Sequence, residues 1–318
     1  MIESIQSILP SINVVEKDDN FIKLEIKNVH FSFLNSIRRI LLTEIPTMTI
    51  EKVILEKNSS CMNEDMIAHR LSLLPLVCPN INRFKFQREC SCKMGCIQCE
   101  AEFTMEVHSG DQNSGIYCSD LISKHNLCNV LTYPFEKNGI LLLRLEPNEE
   151  VKLKAIAVKG TGSVHSKFSS VQICTFQRIE SDHSHFFSLE TNQNVKAIHL
   201  FFQALFVIHE KISQIYRELP SYRVEESIYR YSFPFCDTIM NILMYTVLEN
   251  FDIEMCFYKR RHYFESECDF VIEDSSLQTI KEVESVIKKS LSIIESQCKL
   301  LESSFSECYF GISFDKKE

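Results

Sequence analysis

The chain has 318 residues, 45% of them hydrophobic and 24% charged, which is the composition of a globular protein with one or two ordinary cores. Its formal net charge of -9 argues against a surface that wraps nucleic acid, because phosphate binding needs clustered Lys and Arg. The start of the chain lacks the basic and apolar runs of a signal peptide, and the longest apolar stretch, Ile198–Ile208, is well short of the roughly 20 residues that span a bilayer. We therefore expect a protein that is neither exported nor membrane-anchored, with little or no direct DNA contact.

Short strands and short helices alternate along the first third of the chain. Apolar residues at every second position predict a strand over Ile22–Ile26. The apolar spacing then becomes helical over Phe33–Ile45, where Pro46 ends the run, and a second short helix is predicted over Asp65–Leu74. This order indicates an α+β fold.

The middle of the chain is dominated by strand patterns. Alternation over Phe103–Val107 and again over Val151–Ala157 predicts two strands, and the glycines of Lys159–Gly162 predict a loop that breaks the second one. Between them, residues 109–138 show no clear period.

Two long helices with matching apolar stripes are predicted in the second half. A helix at 235–249 and strands at 255–258 and 268–272 lie between them. The stripes repeat every seven residues, at Ile198, Leu205 and Ile212 in one helix and at Ile280, Ile287, Ile294 and Leu301 in the other. They fit either two helices that pack together within one chain or a coiled-coil homodimer.

Four cysteines lie within ten residues, at Cys90, Cys92, Cys96 and Cys99. Four thiolates this close suit one tetrahedral zinc ion, and a closed four-thiolate site leaves no position for substrate, so the zinc would be structural. Clustered free thiols are the alternative, and Cys96 with Cys99 alone would also fit a redox pair. A nucleic-acid-binding zinc finger is disfavoured because only Lys93 adds positive charge inside the cluster.

Other polar groups give weaker signals. Asp182, His183 and His185 have the side chains of a metal site but no element that would bring them together, so we interpret them as a polar loop. Phosphate-binding glycine loops, nucleophile elbows and zinc-protease motifs are missing from the sequence, which predicts that this chain is not catalytic by itself.

Two motifs carry a family resemblance. Asn35–Ile50 followed by Asp65–Leu76 closely resembles the alpha-like subunits of multisubunit RNA polymerases. The spacing of the four cysteines looks like that of the third-largest subunit of eukaryotic RNA polymerase II and of some archaeal D subunits. Ala155–Phe168 and Phe187–Thr191 resemble further parts of the same subunit, with Phe168 where the family usually has Trp. Beyond residue 220, Asp237–Asn241 and the elements after it are similar to the small L-type partner subunit.

The resemblance implies a discontinuous D-like dimerisation domain at 1–45 and 150–220, an inserted, mainly-β zinc-bearing domain at 46–149, and an L-like α+β dimerisation domain at 221–318. Both alpha-like subunits would then form a pseudo-heterodimer within one chain, an arrangement familiar from large DNA viruses.

By the same resemblance, the chain would be a non-catalytic assembly subunit of a DNA-directed RNA polymerase. It would dock the largest and second-largest subunits and small zinc-bearing adaptor subunits. Arg38, Arg39, Lys159 and His165 match the positions expected for large-subunit docking. The expected location is intracellular, either a virion and viral factory or a nucleus. The alternatives are a zinc-stapled nucleic-acid-binding module and, less favoured, a thiol oxidoreductase.

Overall fold

The computed structural model describes residues 9–310 except 94, 125–126, 133–138, 180–183, 220–227, 234–236, 261, 263, 266 and 278. The strands, in chain order, are β1 (Ser11–Lys17), β2 (Phe21–Lys27), β3 (Pro46–Asn58), β4 (Leu76–Val77), β5 (Glu100–His108), β6 (Ser114–Tyr117), β7 (Ile122–Ser123), β8 (Asn129–Val130), β9 (Leu141–Leu145), β10 (Glu150–Thr161), β11 (Val171–Ile179), β12 (Ser184–Thr191), β13 (Ile228–Phe233), β14 (Met255–Arg260) and β15 (Cys268–Glu273). The α-helices are α1 (Phe31–Thr43), α2 (Glu64–Ser72), α3 (Ala197–Glu218), α4 (Asp237–Asn250) and α5 (Ile280–Phe310). The predicted α+β class and each predicted helix are confirmed.

The chain forms two compact units. The first unit contains the described residues of 1–41, 173–189 and 197–318, and the second contains 42–172 and 190–196. None of the helices in the described part of the chain has the length and apolar character needed to cross a membrane.

The first unit holds two sheets and the long helices. One sheet has the strand order β1-β2-β12-β11 and the other β13-β15-β14. The core face of β2 is formed by Ile22, Leu24 and Ile26, all fully buried, as their alternation predicts. The outer edge of β1 is covered by α5, because the Ile12 amide donates to Ser304 Oγ at 3.0 Å.

Helices α3 and α5 pack against each other along their apolar stripes. The ring centroids of Phe201 and Phe305 are 4.8 Å apart at one end. Toward the other end, the Tyr216 hydroxyl donates to the Lys288 carbonyl oxygen at 2.9 Å. Later residues of α3 thus contact earlier residues of α5, so the two helices run antiparallel.

Six of the seven stripe residues are buried, namely Ile198, Leu205, Ile212, Ile287, Ile294 and Leu301. Ile280 departs from the predicted stripe. It is the first residue of α5 and remains 48% exposed, so the buried face of α5 begins at Val283. The seven-residue period indicates which positions share a face, but it does not indicate where along the helix packing begins.

The second unit is built on a sheet with the order β3-β10-β5-β7. Strand β10 pairs antiparallel with β3 on one side and with β5 on the other. Helix α2 packs on this sheet through Ile67 and Leu71, which join Phe103 and Leu153 in one buried core. Asn63 caps α2, with its side-chain oxygen accepting from the Asp65 amide at 3.0 Å. The unpatterned segment 109–138 contributes β6, β7 and β8, which are too short to show a period.

The predicted break at Lys159–Gly162 is wrong, because β10 continues to Thr161, which pairs with Pro46. Gly160 serves close packing rather than a turn. A Cβ atom at this position would lie 2.5 Å from the ring of Phe168, so the strand passes under that ring only without a side chain.

The compact units run differently from the three predicted domains. The predicted boundary at 149/150 separates β10 from β3 and β5, its hydrogen-bonded neighbours, and the structure groups all three strands in the second unit. Residues 237–310 lie in the first unit together with α1 and α3.

Candidate metal centre

The four predicted cysteine ligands lie in a loop that leads directly into a core strand. Cys90 follows the 3-10 turn Gln87–Glu89, and Cys99 immediately precedes β5. The loop is tied to the chain before it, because the Lys85 amide donates to the Gln98 carbonyl oxygen at 2.8 Å. The second pair of cysteines is therefore held at the start of a buried strand.

The sulfur atoms converge. The Sγ atoms of Cys90 and Cys96 are 3.5 Å apart, as are those of Cys92 and Cys99. Cys96 and Cys99 are 3.7 Å apart, and all four atoms lie within 4.8 Å of one another. A regular tetrahedron with Zn–S bonds of about 2.3 Å has sulfurs about 3.8 Å apart. The cluster therefore has the dimensions of a four-thiolate metal site.

Local backbone geometry brings the second pair together. The Cys96 carbonyl oxygen accepts from the Cys99 and Glu100 amides, both at 2.9 Å, so Cys96 and Cys99 lie at the two ends of one tight turn. Gly95 precedes this turn with a φ of +88°, a left-handed conformation that side chains with a Cβ rarely adopt. Glycine at this position lets the chain reverse between the two cysteine pairs.

The thiols of the cluster differ in acidity. Hydrogen bonds from the Cys92 amide and thiol lower the pKa of Cys90 to about 7. Burial raises the pKa of Cys99 to about 12. A thiol with a raised pKa binds a metal ion only by giving up its proton, so metal binding here is coupled to proton release.

Lys159 lies close to the segment that precedes the cysteine loop. Its Nζ donates to the Phe84 carbonyl oxygen at 3.0 Å and lies 4.9 Å from the centroid of the Phe86 ring. Burial lowers the pKa of the Lys159 ammonium. The side chain thus holds the approach to the loop against β10, a role that sequence reasoning missed when it considered Lys159 only as a docking residue.

Of the four predicted docking residues, Arg38 and Arg39 belong to the first unit, and Lys159 and His165 belong to the second. Arg38 is half-buried and donates to Asn35 Oδ1 through Nε and Nη2, whereas Arg39 is exposed. The exposed His165 accepts at Nδ1 from the Lys167 amide, at 3.1 Å.

A second lysine missed by sequence reasoning lies beside His165. Lys167 Nζ donates to the Ile50 carbonyl oxygen at 3.1 Å and pairs with Glu51, with only 10% of its side chain exposed. These contacts with β3 depend on the path of the segment that follows β10. That segment has no apolar period in the sequence, so the contacts could not be predicted.

The second set of metal-type residues is only partly described. Asp182 and His183 lie outside the described residues, and His185 is buried with an edge-to-face contact to Phe176. Within the described part of the chain, the four cysteines are the one group of three or more such side chains that converges on a metal-sized space.

Comparison with known families finds a likeness in the segment that contains this site and its sheet. Residues 44–185 match the family model described as the RNA polymerase Rpb3/RpoA insert domain. The matched segment spans α2, the cysteine loop and strands β3 to β10.

Individual relatives are similar over about half of the chain. The chain is 34% identical over 173 residues to DNA-directed RNA polymerase II subunit rpb3 of Dictyostelium discoideum, covering 53% of this chain and 57% of the relative. It is 34% identical over 179 residues to subunit 3 of RNA polymerases II, IV and V of Arabidopsis thaliana, covering 52% and 56%. It is also 34% identical over 177 residues to subunit Rpo3 of Methanosphaera stadtmanae, covering 54% and 63%. The chain therefore spans a little over half the length of these relatives.

Proposed function

We propose that this chain is a non-catalytic assembly subunit of a DNA-directed RNA polymerase. The observation that carries the proposal is the match of residues 44–185 to the Rpb3/RpoA insert domain, with relatives named as polymerase subunits in a protist, a plant and an archaeon. In this role the chain works inside the cell or virus that contains the polymerase, and the nucleotide chemistry takes place on other subunits.

The cysteine cluster, in this proposal, holds one structural zinc ion. Sulfur distances of 3.5 to 3.7 Å and four soft ligands suit tetrahedral zinc. With all four positions filled by Cys90, Cys92, Cys96 and Cys99, the ion has no open position for a substrate. The role of the zinc ion is then structural: it cross-links the four cysteines and fixes the loop that precedes β5.

The C-terminal segment, in this proposal, acts as the L-type partner fused to a D-type subunit. Support comes from the antiparallel packing of α3 on α5, which buries matching apolar stripes within one chain. A helix face buried in this way has no need of a second copy of the chain. The viral origin suggested by such a fusion is part of the same proposal.

The proposed partners are the largest and second-largest polymerase subunits and small zinc-bearing adaptor subunits. Arg39, exposed on α1, and Arg38, half-buried beside it, are the proposed contact with the second-largest subunit. Guanidinium groups suit this role because they bind carboxylates through two parallel hydrogen bonds. Direct contact of this chain with DNA is minor or absent.

Affinity purification of the tagged chain from its native source tests the assignment. We expect two very large polymerase subunits, no separate L-like subunit and about one zinc per chain. A separate L-like subunit would refute the fusion alone. Absence of the large subunits, together with tight and salt-sensitive DNA binding by the purified chain, would favour the nucleic-acid-binding alternative.

A charge reversal tests the docking residues. Arg38→Glu with Arg39→Glu should remove the second-largest subunit from the purified complex while the circular dichroism spectrum of the isolated chain is retained. The matched control is Lys281→Glu with Lys289→Glu, two exposed positions on α5 with the same change of charge. Equal recovery of the second-largest subunit with both double variants would refute the docking role.

A further inference from the structure

Cys78 and Cys128, two cysteines outside the metal centre, flank two neighbouring strands of the second unit: Cys78 directly follows β4, and Cys128 directly precedes β8. Strands β4 and β8 are antiparallel, with Leu76 opposite Val130 and Val77 opposite Asn129. The next position in this register pairs Cys78 with Cys128. In keeping with this register, the two thiols are close enough for each to shift the pKa of the other.

The hydrogen-bond pattern of these strands shows which type of pair this is. The Leu131 amide donates to the Pro75 carbonyl oxygen at 3.0 Å, which makes Pro75 and Leu131 a hydrogen-bonded position. Because such positions alternate along antiparallel strands, Cys78 and Cys128 occupy a non-hydrogen-bonded position. The Cα atoms of such pairs are about 4.5 Å apart, within the range of about 4.4 to 6.8 Å that a disulfide bridges.

We propose that Cys78 and Cys128 form an intramolecular disulfide when the chain meets a small-molecule disulfide oxidant of the glutathione type. The bond would join the segment leading to the cysteine loop to β8 in the same unit. It needs no backbone rearrangement, because the two strands already hold the residues in register. This modification goes beyond the proposed function and does not depend on it.

The surroundings of the two thiols give each a different part in the reaction. Cys78 is half-buried, and hydrogen bonds from the Cys128 thiol and the Asn80 amide, together with the positive charge of Lys159, lower the pKa of Cys78. Cys128 is fully buried, and its pKa is raised by the hydrogen bond with Cys78 and by burial. Cys78 is therefore the attacking thiolate and Cys128 the resolving thiol.

The exchange balances in two steps. The Cys78 thiolate attacks one sulfur of oxidised glutathione, forming a mixed disulfide and releasing one glutathione thiolate. The thiolate that raised the pKa of Cys128 is then gone, so Cys128 loses its proton to water and attacks the Cys78 sulfur. This second attack releases the other glutathione, so two protein thiols become one disulfide and one oxidised glutathione becomes two reduced molecules.

Peptide mapping of the full-length, zinc-loaded chain tests the proposal. The reduced protein is treated with oxidised glutathione, blocked with N-ethylmaleimide, digested without reductant and analysed by mass spectrometry. We expect a cross-linked peptide pair containing Cys78 and Cys128. The exposed Cys61 and Cys308 report whether the oxidant was active, because both should carry glutathione.

Two variants identify the roles of the thiols. Cys128→Ser should abolish the cross-linked pair and leave glutathione on Cys78, whereas Cys174→Ser, at another buried cysteine, should leave the cross-link unchanged. If Cys128→Ser does not fold, peptide mapping of the unsubstituted chain still tests whether the Cys78–Cys128 disulfide forms. Three results would overturn the proposal: alkylated Cys78 and Cys128 beside glutathionylated Cys61, stable glutathione on Cys78 in the unsubstituted chain, or a cross-link from Cys78 to a cysteine of the metal loop.

Discussion

Replacing Phe305 by alanine tests how strongly α5 is held on α3. Phe305 is fully buried, and its ring centroid lies 4.8 Å from Phe201, 5.1 Å from Phe202 and 5.8 Å from Tyr309. Removing a buried phenylalanine ring costs about 3 to 5 kcal/mol, because apolar burial is lost and a cavity remains. Aromatic pairs add about 0.5 to 1.5 kcal/mol beyond the buried area. We therefore expect a loss in the upper half of the 3 to 5 kcal/mol range, about 4 to 5 kcal/mol.

Urea unfolding followed by far-ultraviolet circular dichroism measures this loss, and the chain lacks tryptophan, so tryptophan fluorescence cannot be used. Phe206→Ala is the matched control on α3, because the Phe206 side chain is 63% exposed and its removal should change stability by no more than about 0.5 kcal/mol. A loss below about 1 kcal/mol for Phe305→Ala would refute the argument that this aromatic cluster holds the two helices together.

Three further predictions concern metal, packing and pH. Cys99→Ser should abolish stoichiometric zinc in elemental analysis and make the loop sensitive to limited proteolysis, while the far-ultraviolet spectrum of the chain persists. Gly162→Ala should lower the free energy of unfolding, measured by urea titration, by about 1 to 3 kcal/mol, because its Cβ would lie 2.2 Å from the Leu42 carbonyl oxygen. Gly110→Ala should leave this free energy unchanged, since its Cβ would meet no atom within 4 Å. Burial raises the pKa of Cys298 from 9.0 to about 12, so the unfolded chain loses this proton first and stability falls as the pH rises from about 9 to 12. Cys298→Ala should weaken that decline in pH-dependent urea titrations.

Period-based predictions succeeded where one face of an element is buried. The alternation at Ile22–Ile26 and the stripes of α3 and α5 arise because half of each element packs on a core, and the structure confirms those elements. Ile280 and residues 109–138 show the limit of this reasoning. A period indicates which residues share a face, but where packing begins, or whether a strand of two to four residues forms, depends on contacts with distant segments.

The glycines at the end of β10 illustrate a different limit. Glycine in a strand pattern usually indicates a turn or a bulge, and the predicted break at Lys159–Gly162 followed that rule. In the structure, Gly160 stays in the strand and makes room for the ring of Phe168, which returns over it eight positions later along the chain. Close packing and a turn both favour glycine, and only the tertiary structure distinguishes the two causes.

The cysteine cluster was predictable from the spacing of its residues, but the contacts that hold the neighbouring backbone were not. Two contacts that use no cysteine hold the segment before the cluster: the Lys85 amide donates to the Gln98 carbonyl oxygen, and Lys159 Nζ donates from β10 to the Phe84 carbonyl oxygen. Loss of metal should consequently loosen residues 90–97 while the segment at 84–86 keeps its place on the sheet. The burial of the Lys159 ammonium supports this division, because a half-buried charge is stable only while its acceptor and the Phe86 ring remain beside it.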